Sequence, residues 1–548
     1  MQPKGIPEEL SEKSRCERIS REHDRTVIYG GTEKLSLAHP NAGKQKLMHL
    51  LRTMLVTGMA YVVSYGITLV LTPYITETVG TEAYGFVTLA KQFAEYATIV
   101  TTALNTYAAR YIGIAYHKND MKQANMYFAS VFWGDIILAS CIFAAALAVI
   151  VFLEYIISIP AALVADVKVL FLLTFLSFWV TTVFSVFGCA GYVRDRMDLK
   201  GVFKTLSFIT DALALLICYV FFPAAILYVG IGTLAAALVI AGTDWWMSRK
   251  YLPMLKTARK DFSFQAVKQL VMNGFWMSFN MVGDLLNNGL DLLVCNQMLT
   301  SLAMGQLAIA KTMHTIVKSL YLVVDQAFIP RFIKAYADEH KDKLMDELKL
   351  SMKVSGMLAN IAFAGFVALG LSYYRLWIPN EDIELIYRLT IVTIMVILPT
   401  GAIHPLYYIY SLTLKQKIPC YVTLIGGIFN VAGMYVLIRY AGMGVYAVAW
   451  TTVAVMTFIN FVSNPLYMAH VLRVPWHSFY PDILRNLLSC CVLTLLFYGL
   501  ASLYKPTGWL TLILCAGGYA LLGIPIHLAI VTNRDQRRRL AEAVRRKP

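Results

Sequence analysis

Long apolar runs recur along the chain from residue 50 to residue 532. A run of about 20 apolar residues crosses the hydrocarbon core of a bilayer as an α-helix. That core offers the backbone no water to bond, so a chain that crosses it repeatedly uses helices throughout. The pattern predicts an all-α polytopic membrane protein with about 14 transmembrane helices. The predicted spans are residues 49–73, 84–112, 123–152, 163–188, 202–221, 223–247, 268–290, 303–330, 352–374, 384–413, 418–438, 442–469, 484–503 and 508–531.

The composition excludes a soluble protein. Of the 548 residues, 58% are hydrophobic and 15% are charged, and the mean hydropathy is +0.59. A soluble protein of this size needs more charged residues to cover its exterior. The net charge of +15 is typical of basic cytoplasmic loops, and charge alone does not indicate nucleic-acid binding. None of the nine cysteines forms a CxxC pair, so we expect no disulfide framework, metal site or cofactor.

The connections between the spans alternate in charge. One set is rich in lysine and arginine, whereas the other set is nearly free of them. Basic connections face the cytoplasm, which places both termini inside and requires an even number of spans. The basic tail at 533–548 agrees, either as a topology anchor or as a lipid-recognition segment. The basic connections carry Lys118, Lys122, Arg194, Arg196, Lys200, Lys204, Arg249, Lys250, Lys256, Arg259, Lys260, Lys334, Lys341, Lys343, Lys415, Lys417 and Arg473.

A sequence repeat divides the chain into two similar halves. Gly85 and Lys91 recur as Gly305 and Lys311, at an offset of about 220 residues. Each half contains six predicted spans, and an even number gives parallel repeats related by an axis along the membrane normal. The predicted organisation is a polar cytoplasmic N-terminal segment (1–46), an N-lobe (47–247), a cytoplasmic linker (248–267), a C-lobe (268–470), two further helices (471–532) and the basic cytoplasmic tail (533–548).

Ionisable residues inside predicted spans are costly and therefore indicate function. Lys311, His314 and Lys318 follow one another at i, i+3 and i+7, which places them on one helix face, with Asp325 near that face. A polar face is not tolerated in lipid, so we expect it to line a central cavity between the lobes. Related polar residues in other spans are Lys91, Glu95, Asp211, Asn273, Asn280, Asp284, Asn287 and Asp291.

Two interpretations of the lysines stay open. In the first, the ammonium groups of Lys91, Lys311 and Lys318 bind a phosphate or diphosphate as point charges. In the second, they pair within the protein, Lys91 with Glu95 and the other two with Asp284 or Asp291. Both interpretations are compatible if these acids neutralise the lysines while no phosphate or diphosphate is bound.

The depth of the lysines bears on this choice. By the predicted boundaries, Lys91 and Lys311 lie about 10 Å below the outer surface, within partial reach of snorkelling. Lys318 lies about 10 Å deeper and cannot snorkel easily.

Three residues are candidates for coupling transport to protons. His314 can titrate near neutral pH, and Asp211 and Asp284 are rival candidates. The alternative for each is a hydrogen-bonded interior group. The sequence contains no GxSxG, Walker A or HExxH motif, which predicts a transporter without covalent chemistry rather than an enzyme.

One short stretch of the chain carries a recognisable set of motifs. It comprises 72–75 (Thr-Pro-Tyr-Ile), 79–80 (Val-Gly), 82–85 (Glu-Ala-Tyr-Gly) and the pair Asn105 and Arg110. This stretch resembles the polysaccharide-transport branch of the multidrug/oligosaccharidyl-lipid/polysaccharide exporter superfamily. The hydropathy plan is similar to that superfamily over most of residues 47–532.

This resemblance implies two six-helix lobes around a cationic central cavity. It also implies a flippase that moves an undecaprenyl-diphosphate-linked oligosaccharide across the bacterial inner membrane, for O-antigen, capsule or exopolysaccharide assembly. The polymerase and chain-length proteins of the same pathway are then expected partners.

The sequence disfavours two other functions. A drug/cation antiporter of the same superfamily resembles this chain less, because predicted span 49–73 contains no Asp or Glu and the cavity holds lysines. A membrane polysaccharide polymerase or acyltransferase is disfavoured because the outer connections are short, at most about 12 residues, and leave little room for catalytic groups.

Overall fold

The computed structural model describes residues 58–59, 62–337, 340–413 and 415–532, without the side chains at 321–327, 330, 337 and 411. Within these ranges the regular secondary structure is helical, apart from short turns. The helices are α1 (62–78), α2 (Thr81–Asn105, continued by Ala108–His117), α3 (Met121–Val151), α4 (Val164–Phe184, continued to 193), α5 (Met197–Phe221), α6 (Leu227–Tyr251), α7 (Phe264–Asp284, continued through a π-helical turn Leu285–Gly289 and Asp291–Met298), α8 (Ser301–Ala337), α9 (Lys341–Trp377), α10 (Ile383–Met395 and Ile397–Leu412), α11 (Lys417–Arg439), α12 (Val445–Phe458, a π-helical turn Ile459–Ser463 and Asn464–Leu472), α13 (Tyr480–Leu503) and α14 (Trp509–Val531).

Ten helices in the described ranges, α3–α6 and α9–α14, are long and apolar enough to cross a membrane. The protein is therefore a multi-pass membrane protein. The other predicted spans correspond to α1, α2, α7 and α8; α2 and α8 carry the intramembrane lysines, and α1 has only 17 contiguous described residues. The count of fourteen spans stays a prediction. The predicted segments 1–46 and 533–548 lie outside the described residues.

Two helix ends were predicted too early, both at a proline. Helix α1 continues past Pro73 to residue 78, and α8 continues past residue 330 to Ala337. A proline inside a helix leaves the carbonyl four residues earlier without its usual donor. Here the indole Nε1 of Trp377 donates to the carbonyl of Leu69 at 2.6 Å, which satisfies the group that Pro73 frees. A donor from the other half of the chain thus makes the intrahelical proline tolerable.

The helices pack in two groups that correspond to the predicted lobes. In the first, α4 packs on α3 and α6, and α6 packs on α5; in the second, α8 packs on α9 and α10, and α11 packs on α7 and α12. Helices α13 and α14 pack on each other and on α9, outside both groups. The groups meet along α2, which packs on α7 and α8. Helix α2 therefore forms a large part of the contact between the two groups.

The matched glycines of the repeat face each other at this contact. A Cβ built on Gly85 would lie 2.9 Å from the Cα of Gly305, so only glycine permits this approach of α2 and α8. Contact between equivalent positions is what a two-fold relation between the halves would give. Nearby, Tyr84 and Thr312 share a hydrogen bond of 3.0 Å, and Thr81 donates to Glu381. We call this contact, formed by Thr81, Tyr84, Gly85, Gly305, Thr312 and Glu381, the outer seal, because it lies at the end predicted to face outward.

Candidate functional site

A cavity of about 260 Å³ lies next to the line where the two helix groups meet. Five helices contribute to its wall: α2, α7, α8, α10 and α12. We call it the C-lobe pocket, because most of its wall comes from the second half of the chain. The ionisable and amide side chains that line it are Gln92, Glu95, Asn288, Asp291, Lys311, His314 and Lys318. The structure thus brings the three predicted members of the α8 face to one cavity.

Lys311 is engaged within the protein. Its Nζ lies 2.6 Å from Oδ2 of Asp291 and donates to the carbonyl of Asn288 at 2.8 Å. Both partners are largely buried, with 18% and 7% of their side chains exposed. The pairing interpretation therefore applies to Lys311, and its charge is largely compensated before any ligand arrives.

Lys318 is different, because it forms no hydrogen bond or ion pair among the described residues and its side chain is exposed to the cavity. It also lines an adjoining space of about 220 Å³ with Asp284 and Tyr96, which we call the interlobe pocket. Asp284 accepts a hydrogen bond of 3.5 Å from Asn280 and interacts electrostatically with Lys318. Lys318 is thus a cation with acids in range but no direct partner.

His314 is held by its neighbours rather than free in the cavity. Its Nδ1 lies 3.0 Å from the carbonyl of Thr393 on α10. A carbonyl only accepts, so Nδ1 carries the proton, and in the neutral ring Nε2 keeps a lone pair. His314 therefore connects α8 to α10, which is the interior hydrogen-bonded role considered for it.

The π-helical turn of α7 is an anchoring point for side chains from three helices. A π-turn leaves backbone carbonyls without their usual helical donors. Asn430 of α11 donates to the carbonyl of Asn287 at 2.7 Å, Lys311 to that of Asn288, and Tyr96 of α2 to that of Gly289. Asn287 itself is fully buried against α11, where it donates to the carbonyl of Thr423 at 2.8 Å. The turn therefore joins both helix groups beside the C-lobe pocket.

Lys91 and Asp211 line a separate cavity in the first group. This N-lobe pocket has a volume of about 420 Å³ and is bounded by α1, α2, α4, α5 and α6. Lys91 and Glu95 are both exposed and interact electrostatically without a direct ion pair, so both interpretations of Lys91 stay open. One buried oxygen of Asp211 has no hydrogen-bond partner among the described residues.

Glu95 borders all three cavities. Its carboxylate lies within electrostatic range of Lys318, Lys311 and Lys91. It comes from the first half of the chain, whereas Lys318 and Lys311 come from the second. Glu95 therefore interacts electrostatically with lysines from both halves of the chain.

Two lysines lie further from the start of their helices than the sequence predicts. Helix α2 begins at Thr81 and α8 at Ser301, so Lys91 and Lys311 each lie ten residues from the helix start. At the rise of an α-helix this is about 15 Å rather than about 10 Å. Snorkelling to the outer surface is correspondingly harder for both lysines. The side chain of Asp325 lies outside those that the structure describes.

Hydroxyl groups of the N-lobe pocket form a further pattern that the charged and amide residues do not reveal. Thr174, Ser177 and Thr181 of α4 line it, at the same three- and four-residue spacing that identified the α8 face. The spacing is therefore visible in the sequence when hydroxyl residues are included with the charged and amide ones. The polar residues of α7 have different partners: Asn273 donates to Tyr111 on α2, whereas Asp291 binds Lys311.

Comparison with known proteins identifies the family. The chain belongs to the polysaccharide biosynthesis protein family, whose pattern matches residues 50–336. A relative in Bacillus subtilis (strain 168), named "Uncharacterized membrane protein EpsK", is 25% identical over 454 residues, covering 83% of this chain and 90% of the relative.

Solved structures establish the fold class. The lipid II flippase MurJ in an inward closed conformation has a TM-score of 0.61 at 14% identity, over 87% of this chain and 99% of MurJ. An inward-facing multidrug resistance MATE family transporter of the MOP superfamily has a TM-score of 0.59 at 13% identity, over 77% of this chain and 99% of the transporter. The predicted resemblance to this exporter superfamily is confirmed.

Proposed function

We propose that this protein flips a polyprenyl-diphosphate-linked oligosaccharide from the cytoplasmic to the outer leaflet of the bacterial plasma membrane. The observation that carries the proposal is Lys318, an unpaired cation in a cavity at the contact between the two helix groups. A diphosphate bound there replaces the missing partner with a charge-assisted contact. The family membership supports a role in assembling O-antigen, capsule or exopolysaccharide.

The two helix groups alternate between two arrangements because the substrate binds one arrangement more tightly than the other. In the proposed mechanism the outer seal closes one end of the contact between α2 and α8, and the substrate enters from the cytoplasmic side. Binding of the anion more tightly in one state than in the other biases the equilibrium between them. The glycan and diphosphate pass through the cavity while the polyprenyl chain stays in lipid. No covalent step is required.

The test is a clean deletion in the source strain, complemented with variants. We expect the deletion to accumulate undecaprenyl-diphosphate oligosaccharide, measured by mass spectrometry of extracted lipids. Complementation with Lys318→Ala should leave export at least about tenfold lower than wild type, because a charge-assisted contact is lost. Lys505→Ala, a lysine in the outer connection before α14, is the matched control. Normal surface polysaccharide with Lys318→Ala at wild-type expression would refute the cationic site.

A second candidate is a cation antiporter. The three pockets are lined by more acids than lysines. Lys91, Lys311 and Lys318 are the three lysines, and the four acids are Glu95, Asp211, Asp284 and Asp291. Such a surplus of carboxylates suits a cationic substrate. Efflux of a cationic dye by purified protein in proteoliposomes, abolished by Glu95→Gln, would favour this function over flipping.

A further inference from the structure

The N-lobe pocket and the C-lobe pocket differ in chemistry. Eight serine and threonine side chains line the N-lobe pocket, whereas three threonines line the C-lobe pocket. The C-lobe pocket has two lysines in its wall and the N-lobe pocket has one. The two cavities meet at Glu95, which lines both. A ligand that spans them therefore meets a lysine-rich part and a hydroxyl-rich part.

The hydroxyl groups present oxygen lone pairs rather than protons. Seven of the eight donate their proton to a carbonyl of their own helix. The acceptors are backbone carbonyls. Thr98 donates to that of Glu95 at 2.7 Å, Thr181 to that of Ser177 at 2.7 Å and Thr233 to that of Val229 at 2.8 Å. A hydroxyl used in this way still has a lone pair that accepts. The wall of the N-lobe pocket is thus rich in acceptors, and it suits a ligand with many donor groups.

Carboxylates strengthen this preference. Asp211 lines the N-lobe pocket alone, near its single cation Lys91, whereas Glu95 is shared with the C-lobe pocket. A carboxylate is acceptor-only when ionised, so it binds neutral O–H groups well and repels phosphate. The half-buried ring of Phe208 lines the pocket and adds an apolar surface of the kind that packs against the C–H groups of a sugar ring. The volume of about 420 Å³ lies in the range of small-molecule sites.

We infer that the N-lobe pocket is the glycan subsite of the transporter, which binds sugar hydroxyls through the threonine oxygens of α1, α2, α4 and α6 and the carboxylate of Asp211. The inference rests on the proposed function, in which Lys318 binds the diphosphate. A substrate with an anionic diphosphate joined to a polyhydroxyl glycan then lies across Glu95, with its two chemical parts in two different pockets. The glycan contributes affinity independently of the diphosphate.

The experiment measures binding of two ligands to the purified full-length protein in nanodiscs. One ligand is the lipid-linked oligosaccharide extracted from the deletion strain, and the other is undecaprenyl diphosphate without sugar. The test variant combines Thr98→Val, Thr181→Val and Thr233→Val, which keep side-chain shape and remove the oxygens. The control variant combines Thr205→Val, Thr210→Val and Thr243→Val, which also donate to their own helices but do not line the pocket.

We expect the test variant to bind the oligosaccharide lipid about tenfold more weakly, since two or more hydrogen bonds of ordinary strength are lost. Its affinity for undecaprenyl diphosphate should be unchanged, and the control variant should bind both ligands as wild type does. Lys318→Ala should weaken binding of both ligands. Equal thermal stability of the test and control variants shows that the effect is not misfolding.

Three outcomes would overturn the inference or its basis. Unchanged affinity of the test variant for the oligosaccharide lipid would place the glycan elsewhere. A loss confined to sodium or potassium binding, with glycan binding intact, would make the pocket a cation site. If wild type binds neither lipid, or the deletion strain accumulates no lipid-linked oligosaccharide, the proposed function itself fails.

Discussion

At the residue scale, Lys311 and Lys318 lie on the same helix face but have different roles. Lys311 is paired with Asp291 in a largely buried position, whereas Lys318 is unpaired. Removal of one partner of a buried pair leaves an uncompensated charge, which costs about 3 kcal/mol or more. We expect Lys311→Ala to lower the free energy of unfolding by about that amount and Lys318→Ala to change it little. Chemical or thermal unfolding of the purified variants measures the difference.

The double variant Lys311→Met with Asp291→Leu tests the cause. An apolar pair of similar volume removes both charges, so it should recover most of the stability lost by Lys311→Ala. A double variant as unstable as Lys311→Ala would contradict the assignment of the loss to the unpaired Asp291 carboxylate. Loss of export in Lys311→Ala alone is ambiguous, because an unstable protein also fails to export.

The sequence predicted which residues share a helix face but not which of them pair. The spacing of Lys311, His314 and Lys318 follows from helix geometry alone, and the structure agrees with it. Pairing depends on the packing of α7 against α8 and on the π-turn at Leu285–Gly289, which non-local contacts determine. The same limit applies to Lys91, because Glu95, four residues further on, also interacts electrostatically with Lys318 and Lys311.

At the scale of elements, the contact between α2 and α8 depends on two glycines. A Cβ at Gly85 would meet the backbone of Gly305 at 2.9 Å, so the helices must separate to accommodate it. We expect Gly85→Ala to lower the free energy of unfolding by about 1–3 kcal/mol. Gly242 of α6 has no heavy atom within 4 Å of its Cβ position, so Gly242→Ala should be neutral or stabilising by up to about 1 kcal/mol. Parallel thermal unfolding of the two variants measures both effects.

The repeat made this contact partly predictable. The offset between Gly85 and Gly305 identified equivalent positions, although sequence similarity alone does not say that equivalent residues touch. The helix boundaries were less predictable, because Trp377 compensates for Pro73 from a distant part of the chain. Equal stability of Gly85→Ala and Gly242→Ala would mean that α2 and α8 do not rely on glycine for their approach.

At the scale of the whole molecule, the two helix groups must move relative to each other if the protein alternates between states. The outer seal joins Thr81 of α2 to Glu381, which lies between α9 and α10. A cross-link between these positions would hold the seal closed and prevent release of the substrate to the outer leaflet. Cysteines introduced at both positions, bridged with a short bifunctional thiol reagent, should stop export, and cleavage of the bridge with a reductant should restore it.

A matched control separates this effect from damage by the reagent. Lys168 and Glu154 form an ion pair of 2.5 Å, also at the predicted outer end, but both belong to the first helix group. A cross-link between cysteines at these positions joins parts that move together, so export should continue. Transport of lipid-linked oligosaccharide into the outer leaflet of proteoliposomes, measured before and after reduction, provides the readout. Export that persists with a fully cross-linked Thr81–Glu381 pair would show that the seal does not open during transport, and rocking of the two groups about α2 would be excluded.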